Sequence, residues 1–287
     1  MTPRSYLFVP ADRPERFAKA LASGADVVIV DLEDAVAPDA KAGARAALAQ
    51  WLAGAANAPH LPHLPHLPHV PLFVRTNAPG TEWFADDLAL CGHSAAVGGV
   101  MLPKAERVAD LDAVRFAAPG RALIPLIETA AGFDHLRALA GAAGVQRLAF
   151  GSVDFQLDLG ISISAGDESD GTELLFFRSQ LVLASRLASL LPPIDGVTTA
   201  LDDDTPVTRD AQAARRLGFG AKLCIHPRQV AAVNAGFTPS DAEVAWARRV
   251  VAAVERSGGA AVAVDGKMVD RPVLLRARAV LGGRLED

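Results

Sequence analysis

Two acidic side chains stand where short apolar segments of this chain end, and together they suggest a metal site. Glu128 follows the apolar residues 124–127, and Asp154 ends the segment 150–154. If these segments are neighbouring strands, about 4.8 Å apart, both carboxylates can reach one ion. Mg²⁺ is usually held by one or two carboxylates together with water and substrate oxygens. The pair therefore predicts Glu128 and Asp154 as Mg²⁺ ligands, whereas either acid alone is equally typical of a helix N-terminus.

Three more acids, Asp31, Glu33 and Asp34, end an earlier apolar segment. Alternation along a strand points Asp31 and Glu33 to the same face, which at the mouth of a closed barrel is the inside. Carboxylates gathered around one cavity repel strongly when no cation is present. We interpret all three as outer residues of the metal site, with Glu33 and Asp34 accepting hydrogen bonds from water around the ion. A helix cap is the alternative role for Asp34.

Two basic residues also follow apolar segments. Arg75 ends the segment 73–75, and Lys104 follows residues 101–103. The planar fork of an arginine suits two-point contact with a substrate carboxylate and would stabilise an oxyanion beside the metal. Arg75 is therefore predicted as a catalytic and substrate-binding residue, with a structural ion pair as the alternative. For Lys104 a salt bridge is favoured over a Schiff-base or phosphate-binding role.

The elements that must position these residues recur along the chain. Eight short apolar runs are separated by gaps long enough for a helix and two loops, which predicts an α/β fold, a (β/α)8 TIM barrel over residues 1–257. Such barrels carry their active sites at the C-terminal ends of the strands, where the candidate residues stand. The runs are Tyr6–Pro10, Val27–Glu33, Leu72–Asn77, Val100–Lys104, Leu123–Thr129, Leu148–Asp154, Ile194–Thr199 and Lys222–Pro227.

Three segments depart from the simple repeat. A His-Leu-Pro repeat fills residues 60–69, and proline at every third position predicts an extended surface loop rather than a metal site. The loop 158–171, rich in Gly, Ser and Asp, is a candidate lid. Residues 258–287 form a short C-terminal helical extension with a hairpin-like turn at Asp265-Gly266 and a helix from Pro272. We expect this extension to pack on a neighbouring subunit and bury its apolar side chains.

The composition argues against several classes of protein. The 287 residues carry a net charge of −5 without a cluster of Lys and Arg, which argues against nucleic-acid binding. Cys91 and Cys224 lie far apart, so a disulfide framework or a zinc site is not predicted. The chain shows neither a signal segment at its start nor an apolar stretch of the roughly 20 residues that a membrane span needs. A cytoplasmic protein acting on small molecules is the expectation.

Seven segments, in order and with barrel-like spacing, resemble the citrate lyase beta subunit family. That family belongs to a group of Mg²⁺-dependent carbon–carbon lyases that includes malyl-CoA and citramalyl-CoA lyases. The resemblance implies a barrel, usually a homotrimer, that cleaves a 3-hydroxyacyl thioester into a short acyl thioester and a 2-oxo acid such as oxaloacetate. The segments are Ser5–Pro10, Asp31–Val36, Val74–Asn77, Leu102–Lys104, Ile127–Thr129, Gly151–Phe155 and Ile225–Gln229.

The resemblance also implies roles for individual residues. Positions matching Glu128 and Asp154 bind Mg²⁺ in the family, and the position matching Arg75 holds the oxo acid, so Arg75 and Glu128 are expected at the substrate. In the thioester lyases of the group, an aspartate in a Met-x-Asp-x-Pro segment of the tail comes from an adjacent subunit and acts as acid or base. Residues Met268–Pro272 match this segment, so Asp270 is carried over as a catalytic residue.

Three functions stay open at this point. The first is a free-standing lyase that acts on CoA thioesters by retro-Claisen chemistry. The second is a beta subunit of a citrate lyase complex that needs an acyl carrier protein partner, and the third is a metal-dependent aldolase for non-thioester hydroxy-oxo acids. The tail with Asp270 favours the first. Arg13, Arg16 and Lys19 are candidate CoA contacts, although lone basic residues are more often solvated.

Overall fold

Eight parallel strands form a closed barrel in chain order. The structure is a computed structural model that describes residues 2–57, 70–161, 171–257 and 262–282. The last barrel strand pairs with the first, Ser5 lying opposite Lys222, so the predicted (β/α)8 barrel is confirmed. The strands are β1 (Ser5–Pro10), β2 (Val27–Asp31), β3 (Leu72–Arg75), β4 (Val97–Leu102), β5 (Ala122–Ile127), β6 (Ala149–Phe150), β7 (Ile194–Asp195) and β8 (Ala221–Cys224).

Helices follow the strands and cover the barrel wall. Short 3₁₀ turns at Pro14–Arg16 and Pro38–Ala40 precede the first two helices, each beginning with the proline that a first helical position tolerates. The helical segment after β5 is interrupted at His135, which separates two short helices. The helices are α1 (Phe17–Leu21), α2 (Lys41–Asn57), α3 (Phe84–His93), α4 (Val108–Ala117), α5 (Ala130–Asp134), α6 (Leu136–Ala140), α7 (Ser152–Leu159), α8 (Thr172–Leu187), α9 (Asp204–Leu217) and α10 (Gln229–Phe237).

Side chains of the strands alternate between the barrel interior and the layer beneath the helices. Ile29 of β2 and Phe73 of β3 belong to the cluster that fills the interior, while the residues after them pack outward. Asp31 and Arg75 lie opposite each other in the β2–β3 register. Each stands two positions after one of these inner residues, so both point inward. The alternation of side chains thus places the carboxylate of Asp31 and the guanidinium of Arg75 at the barrel mouth.

The sixth strand is shorter than the apolar run predicted. β6 has two residues, because the backbone turns at Gly151 (φ −90°, ψ 75°) and α7 begins at Ser152. Asp154 therefore lies in the first turn of α7, and the expectation that it ends a strand is wrong. The N–H of Gly151 donates to the carbonyl of Ile127 at 2.9 Å. This bond holds the start of α7 against the end of β5.

The chain divides into two compact units, residues 1–237 and 238–287. The second unit contains α11 (Asp241–Arg256), a hairpin of β9 (Val262–Val264) and β10 (Lys267–Val269), and α12 (Arg271–Val280). Its small core joins α11, β10 and α12 through Ala247, Val250, Val269 and Ala277. Because α11 packs on these later elements, it belongs to the second unit. The boundary between the two units therefore lies before residue 257, the residue at which the sequence analysis ended the barrel. The hairpin turn lies at Asp265-Gly266 as expected, both residues having positive φ.

Two of the segments singled out in the sequence lie wholly or mostly outside the described residues. The His-Leu-Pro repeat at 60–69 is one, and residues 162–170 of the candidate lid loop are the other. Within the described ranges, no helix has the length and apolar character that crossing a membrane requires.

Candidate active site

A cavity of about 380 Å³ opens at the C-terminal ends of the strands. We call it the acidic cavity. Its wall includes Asp31, Arg75 and Glu128 from the ends of β2, β3 and β5, and Asp154 from the first turn of α7. Apolar side chains complete the wall, so charged groups face one another in a partly enclosed space. The structure thus brings residues that are far apart in sequence to one mouth.

Arg75 is fixed mainly by Asp31. Its Nε and Nη2 atoms donate to the two carboxylate oxygens of Asp31 at 2.7 and 2.6 Å. Its remaining nitrogen, Nη1, lies 3.1 Å from Glu33 and 3.3 Å from Asp34, and the guanidinium stands over the ring of Phe8. Burial lowers the pKa of Arg75, but these carboxylates outweigh burial and raise it above the usual value. The structural ion pair, which was the alternative role for Arg75, is therefore present, and it fixes the position of the guanidinium group.

Asp31 has no capacity left for a metal. Besides Arg75, it accepts hydrogen bonds from the backbone N–H groups of Glu33 at 2.9 Å and Ala35 at 3.1 Å. These bonds shape the turn after β2, so Asp31 orients Arg75 and the loop that carries Glu33. A positioning role fits these contacts better than one in holding water around an ion.

Glu128 is buried at the end of β5, where one carboxylate oxygen accepts a hydrogen bond and the other faces Gly151. Its Oε1 accepts from the backbone N–H of Lys104 at 2.7 Å. A Cβ added at Gly151 would lie 2.5 Å from Oε2, so any larger residue at Gly151 would displace the carboxylate. Burial, and next the negative charge of Glu33, raise the pKa of Glu128 to about 8. In the absence of a cation, this carboxyl group therefore holds a proton at neutral pH.

Lys104 forms the salt bridge that its sequence position favoured. Its Nζ lies 2.7 Å from Oε1 of Glu33 and 3.9 Å from Oε1 of Glu128. Its backbone takes a left-handed conformation, φ 46°, which an L-residue adopts at a cost of about 1 kcal/mol or more. Burial lowers the pKa of Lys104, but the hydrogen bond to Glu33 and the nearby carboxylates raise it overall. A lysine that stays charged is a poor nucleophile, which argues against Schiff-base chemistry.

Lys41 is a positioning residue that the sequence did not reveal. It is buried at the start of α2, where its Nζ donates to the carbonyl oxygens of Leu32 at 2.9 Å and Glu33 at 2.8 Å. The ammonium also lies 5.1 Å from the ring centre of Trp83. Lys41 therefore ties the turn after β2 to α2. A lysine that begins an Ala-rich helix carries no sequence signal for this contact.

The oxygen atoms of the acidic cavity fit Mg²⁺. Glu128 and Asp154 supply two carboxylates, and the buried Oε2 of Glu33 makes no hydrogen bond among the described residues, although it lies 3.1 Å from Nη1 of Arg75. Mg²⁺ keeps several waters when one or two carboxylates hold it, and such a water can donate to an acceptor of this kind. Across the described ranges, no group of three or more His, Cys, Asp or Glu side chains forms a metal site by itself. Water and substrate oxygens therefore have to complete the coordination.

Mg²⁺ binding should depend strongly on pH through Glu128. Because the pKa of Glu128 is raised to about 8, its carboxyl group must lose a proton before it can hold the ion. The apparent affinity should rise about tenfold per pH unit up to about pH 8 and then level off. Titration calorimetry in buffers of different ionisation enthalpy measures both the affinity and the released proton. A pH-independent affinity between pH 6 and 8 contradicts the role of Glu128.

The same raised pKa affects stability without metal. The folded protein binds a proton at Glu128 that the unfolded chain has already lost above its ordinary pKa, so stability falls as the pH rises toward 8. Added Mg²⁺ should therefore raise the melting temperature more at pH 8 than at pH 6. Glu128→Gln is the control, since it should remove this contribution to the pH dependence.

Asp270 lies in the second unit, where it caps α12. Its Oδ1 accepts from the backbone N–H of Val273 at 3.2 Å. An N-cap of this kind is a sufficient structural reason for an aspartate at this position. The acid or base role inferred from the resemblance stays a prediction.

A second cavity, of about 360 Å³, shares part of its wall with the acidic cavity. We call it the basic cavity, because Arg16, Lys19 and His226 line it. Nδ1 of His226 accepts from the N–H of Arg228 at 3.2 Å, so Nε2 carries the proton in the neutral ring. Arg13, the third candidate for CoA, instead lies 3.9 Å from Asp12. The two cavities together suit a long ligand with an anionic end.

An acid-lined mouth on a closed parallel barrel defines a barrel enzyme whose chemistry takes place at the C-terminal face. Residues 4–227 match the HpcH/HpaI aldolase/citrate lyase family, and the chain belongs to this family. It is 38% identical to a citrate lyase subunit beta-like protein of Deinococcus radiodurans, covering 97% of this chain and 96% of the relative. It is 33% identical to an L-malyl-CoA/beta-methylmalyl-CoA lyase of Rhodobacter capsulatus, covering 97% and 93%.

A solved structure shares both the fold and much of the sequence. The crystal structure of CitE from Mycobacterium tuberculosis in complex with magnesium, acetoacetate and coenzyme A superposes with a TM-score of 0.81 at 38% identity. The match covers 98% of this chain and 97% of that one. The likeness thus extends over nearly the whole length of both chains.

Proposed function

We propose that this protein is a Mg²⁺-dependent carbon–carbon lyase. Its substrate is a 3-hydroxyacyl thioester of the citryl, malyl or citramalyl type, and its products are an acyl thioester and a 2-oxo acid. The observation that carries the proposal is the convergence of Glu128, Asp154 and Arg75 on one cavity. The malyl-CoA lyase relative and the CitE complex with magnesium and coenzyme A support the same chemistry.

Glu128 and Asp154 would hold the ion, and Glu33 would accept a hydrogen bond from water beside it. When bound there, Mg²⁺ would supply Lewis-acid stabilisation of the negative charge that develops on the 2-oxo acid portion of the substrate. Arg75 binds the carboxylate of that acid, and Asp31 keeps the guanidinium in the required orientation. The apolar wall of the cavity, which includes Phe8, limits access of water to the reacting carbon atoms.

The reaction moves one proton and breaks one carbon–carbon bond. The substrate hydroxyl passes its proton to a carboxylate, its oxygen forms the carbonyl of the 2-oxo acid, and the electrons of the broken carbon–carbon bond pass to the thioester fragment as an enolate. A proton returned to the α-carbon completes the acyl thioester. We assign both transfers, the uptake of the hydroxyl proton and its return to the α-carbon, to the side chain of Asp270 from a neighbouring copy of the chain.

The basic cavity provides the place for the thioester carrier. Arg16 and Lys19 offer positive charge and His226 a hydrogen-bond donor for phosphate groups. This arrangement favours a nucleotide-like carrier such as CoA.

We further propose that the protein works as a homotrimer. Helices α7 and α8 expose large apolar side chains, among them Leu157, Phe176 and Leu187, that water does not favour. Contact between copies would cover this surface, and it would also let the extension pack on a neighbouring subunit.

Turnover of CoA thioesters by the isolated protein tests the function. With Mg²⁺ present, malyl-CoA, citramalyl-CoA or citryl-CoA should be cleaved to a 2-oxo acid, detected by trapping the oxo acid with phenylhydrazine, and EDTA should stop the reaction. Activity restricted to acyl carrier protein thioesters would instead indicate a subunit of a citrate lyase complex. Cleavage of the free hydroxy-oxo acids alone would indicate an aldolase and contradict the proposed function, whereas activity on acyl carrier protein thioesters alone would contradict CoA as the carrier.

A further inference from the structure

One exposed side chain stands between the two cavities. Phe8, Pro10 and Ile225 line both the acidic and the basic cavity. Ile225, in the loop between β8 and α10, is 41% exposed although it is a large apolar residue. A ligand that extends from one cavity into the other has to pass it. Together with Phe8 and Pro10, Ile225 therefore bounds the space where the two cavities meet.

Gln229 is hydrogen-bonded to the backbone of Ile225. It is the first residue of α10, with a side chain that is only 2% exposed. Its Oε1 accepts from the backbone N–H of Ile225 at 2.9 Å. Its Nε2 donates to the carbonyl oxygens of Thr198 at 2.8 Å and Ala200 at 2.9 Å. One buried amide thus ties the loop after β8 to the loop after β7.

The loop after β7 is a firm support for this bond. Nζ of the buried Lys222 donates to the carbonyl of Gly196 at 2.7 Å, and Oγ1 of Thr198 donates to Asp210 at 2.7 Å. These contacts fix the loop to β8 and to α9. Loss of the Gln229 amide would leave three backbone groups without their partner, one buried at Thr198 and two partly buried at Ala200 and Ile225, and such groups recover hydrogen bonds by moving toward water. The loop with Ile225 is the part that is free to move, because its side chain borders open space.

We propose that Gln229 is a positioning residue for the thioester half of the substrate. It keeps Ile225 at a fixed distance from the opposite wall and thereby sets the affinity for CoA without lining either cavity. This inference rests on the proposed function, in which the thioester spans both cavities. The residues assigned to Mg²⁺ and to the oxo acid lie on β3, β5 and α7, so Gln229 has no direct contact with them. Its effect should therefore be confined to the thioester.

Gln229→Met tests the proposal, because methionine has a similar volume but cannot replace the hydrogen bonds. We expect the dissociation constant of free CoA and the KM of the thioester to rise about tenfold, which corresponds to 1.4 kcal/mol. The affinity for Mg²⁺ with pyruvate should stay within about twofold of the original, which is below 0.5 kcal/mol. Gln212→Met, at an exposed amide on α9, is the matched control and should change neither. Titration calorimetry and steady-state kinetics provide both measurements.

A double-mutant cycle asks whether Gln229 acts through Ile225. Ile225→Ala should by itself weaken CoA binding. Adding Gln229→Met to this variant should then lower the CoA affinity by less than about threefold, because the contact that Gln229 controls is already gone. Gln229→Glu keeps the acceptor for the N–H of Ile225 but turns a second acceptor toward the carbonyl oxygens of Thr198 and Ala200, so it should release the loop after β7 and weaken CoA binding as Gln229→Met does. This variant also serves if Gln229→Met does not fold.

Three results would overturn the proposal. They are an unchanged CoA affinity in a folded Gln229→Met protein, additive effects in the cycle, and an equal loss of affinity for Mg²⁺ with pyruvate. If the unaltered protein binds Mg²⁺ with pyruvate but no CoA, the thioester function itself is wrong and the inference fails with it. The two failures are therefore distinguishable.

Discussion

Replacing either proposed metal ligand should abolish most of the activity. We expect Glu128→Gln and Asp154→Asn each to lower kcat for thioester cleavage by about three orders of magnitude, because the developing charge loses the stabilisation that the ion supplies. Both substitutions keep the size of the side chain and remove one ionised oxygen. Steady-state kinetics with saturating Mg²⁺, together with Mg²⁺ titration calorimetry, separates lost metal binding from lost chemistry.

The control for this pair stands on the same helix. Asp158 lies one turn after Asp154 in α7, is exposed, and accepts a hydrogen bond from the N–H of Ala130. Asp158→Asn keeps an acceptor at that position and should leave Mg²⁺ affinity and kcat unchanged. Full activity in Glu128→Gln or in Asp154→Asn would show that the reaction does not use this metal site.

The sequence was sufficient to predict the barrel and the inward direction of its site residues. Eight apolar runs at regular spacing leave few other arrangements of parallel strands, and alternation along β2 and β3 determines where Asp31 and Arg75 point. These inferences use local patterns, which do not depend on distant contacts. The prediction of the strands was confirmed, because nearly continuous apolar runs are typical of a buried parallel sheet.

The sequence did not show which cations balance the acids. Repulsion among Asp31, Glu33 and their neighbours had suggested that a divalent ion was needed to balance all of them. In the structure, Arg75 neutralises Asp31 and Lys104 pairs with Glu33. Which acid meets which base depends on side-chain contacts across the barrel, and the spacing of residues along the chain does not contain that information.

Asp154 and Gln229 show two further limits. A run of apolar residues ending in an acid is compatible with a strand end and with the first turn of a helix, so the turn at Gly151 went unpredicted. Gln229 bonds to backbone atoms of two loops, and backbone partners have no side-chain signature. Contacts of this kind become visible when the loops are placed next to each other by the barrel.

Asp270 should contribute strongly to turnover if it moves the proton at the α-carbon. We expect Asp270→Asn to lower kcat by about 10²–10⁴-fold, the range for loss of a general acid or base. Asparagine is also a good N-cap, so the hydrogen bond to Val273 and the melting temperature should be retained. Asp270→Ala, which loses the cap as well, should be less stable and equally inactive. Activity close to that of the unaltered protein in Asp270→Asn would leave the aspartate with its capping role alone.

Mixed oligomers decide whether Asp270 acts in a neighbouring copy. Arg75→Met chains keep Asp270, and Asp270→Asn chains keep Arg75, so neither variant alone has a complete site. If the aspartate comes from an adjacent subunit, co-expression in equal amounts should restore function to about a quarter of the sites, because two independent choices must both be right. If both residues act within one chain, the mixture should stay as inactive as its components. Recovery of activity on mixing would therefore require both the oligomer and an active site shared between subunits.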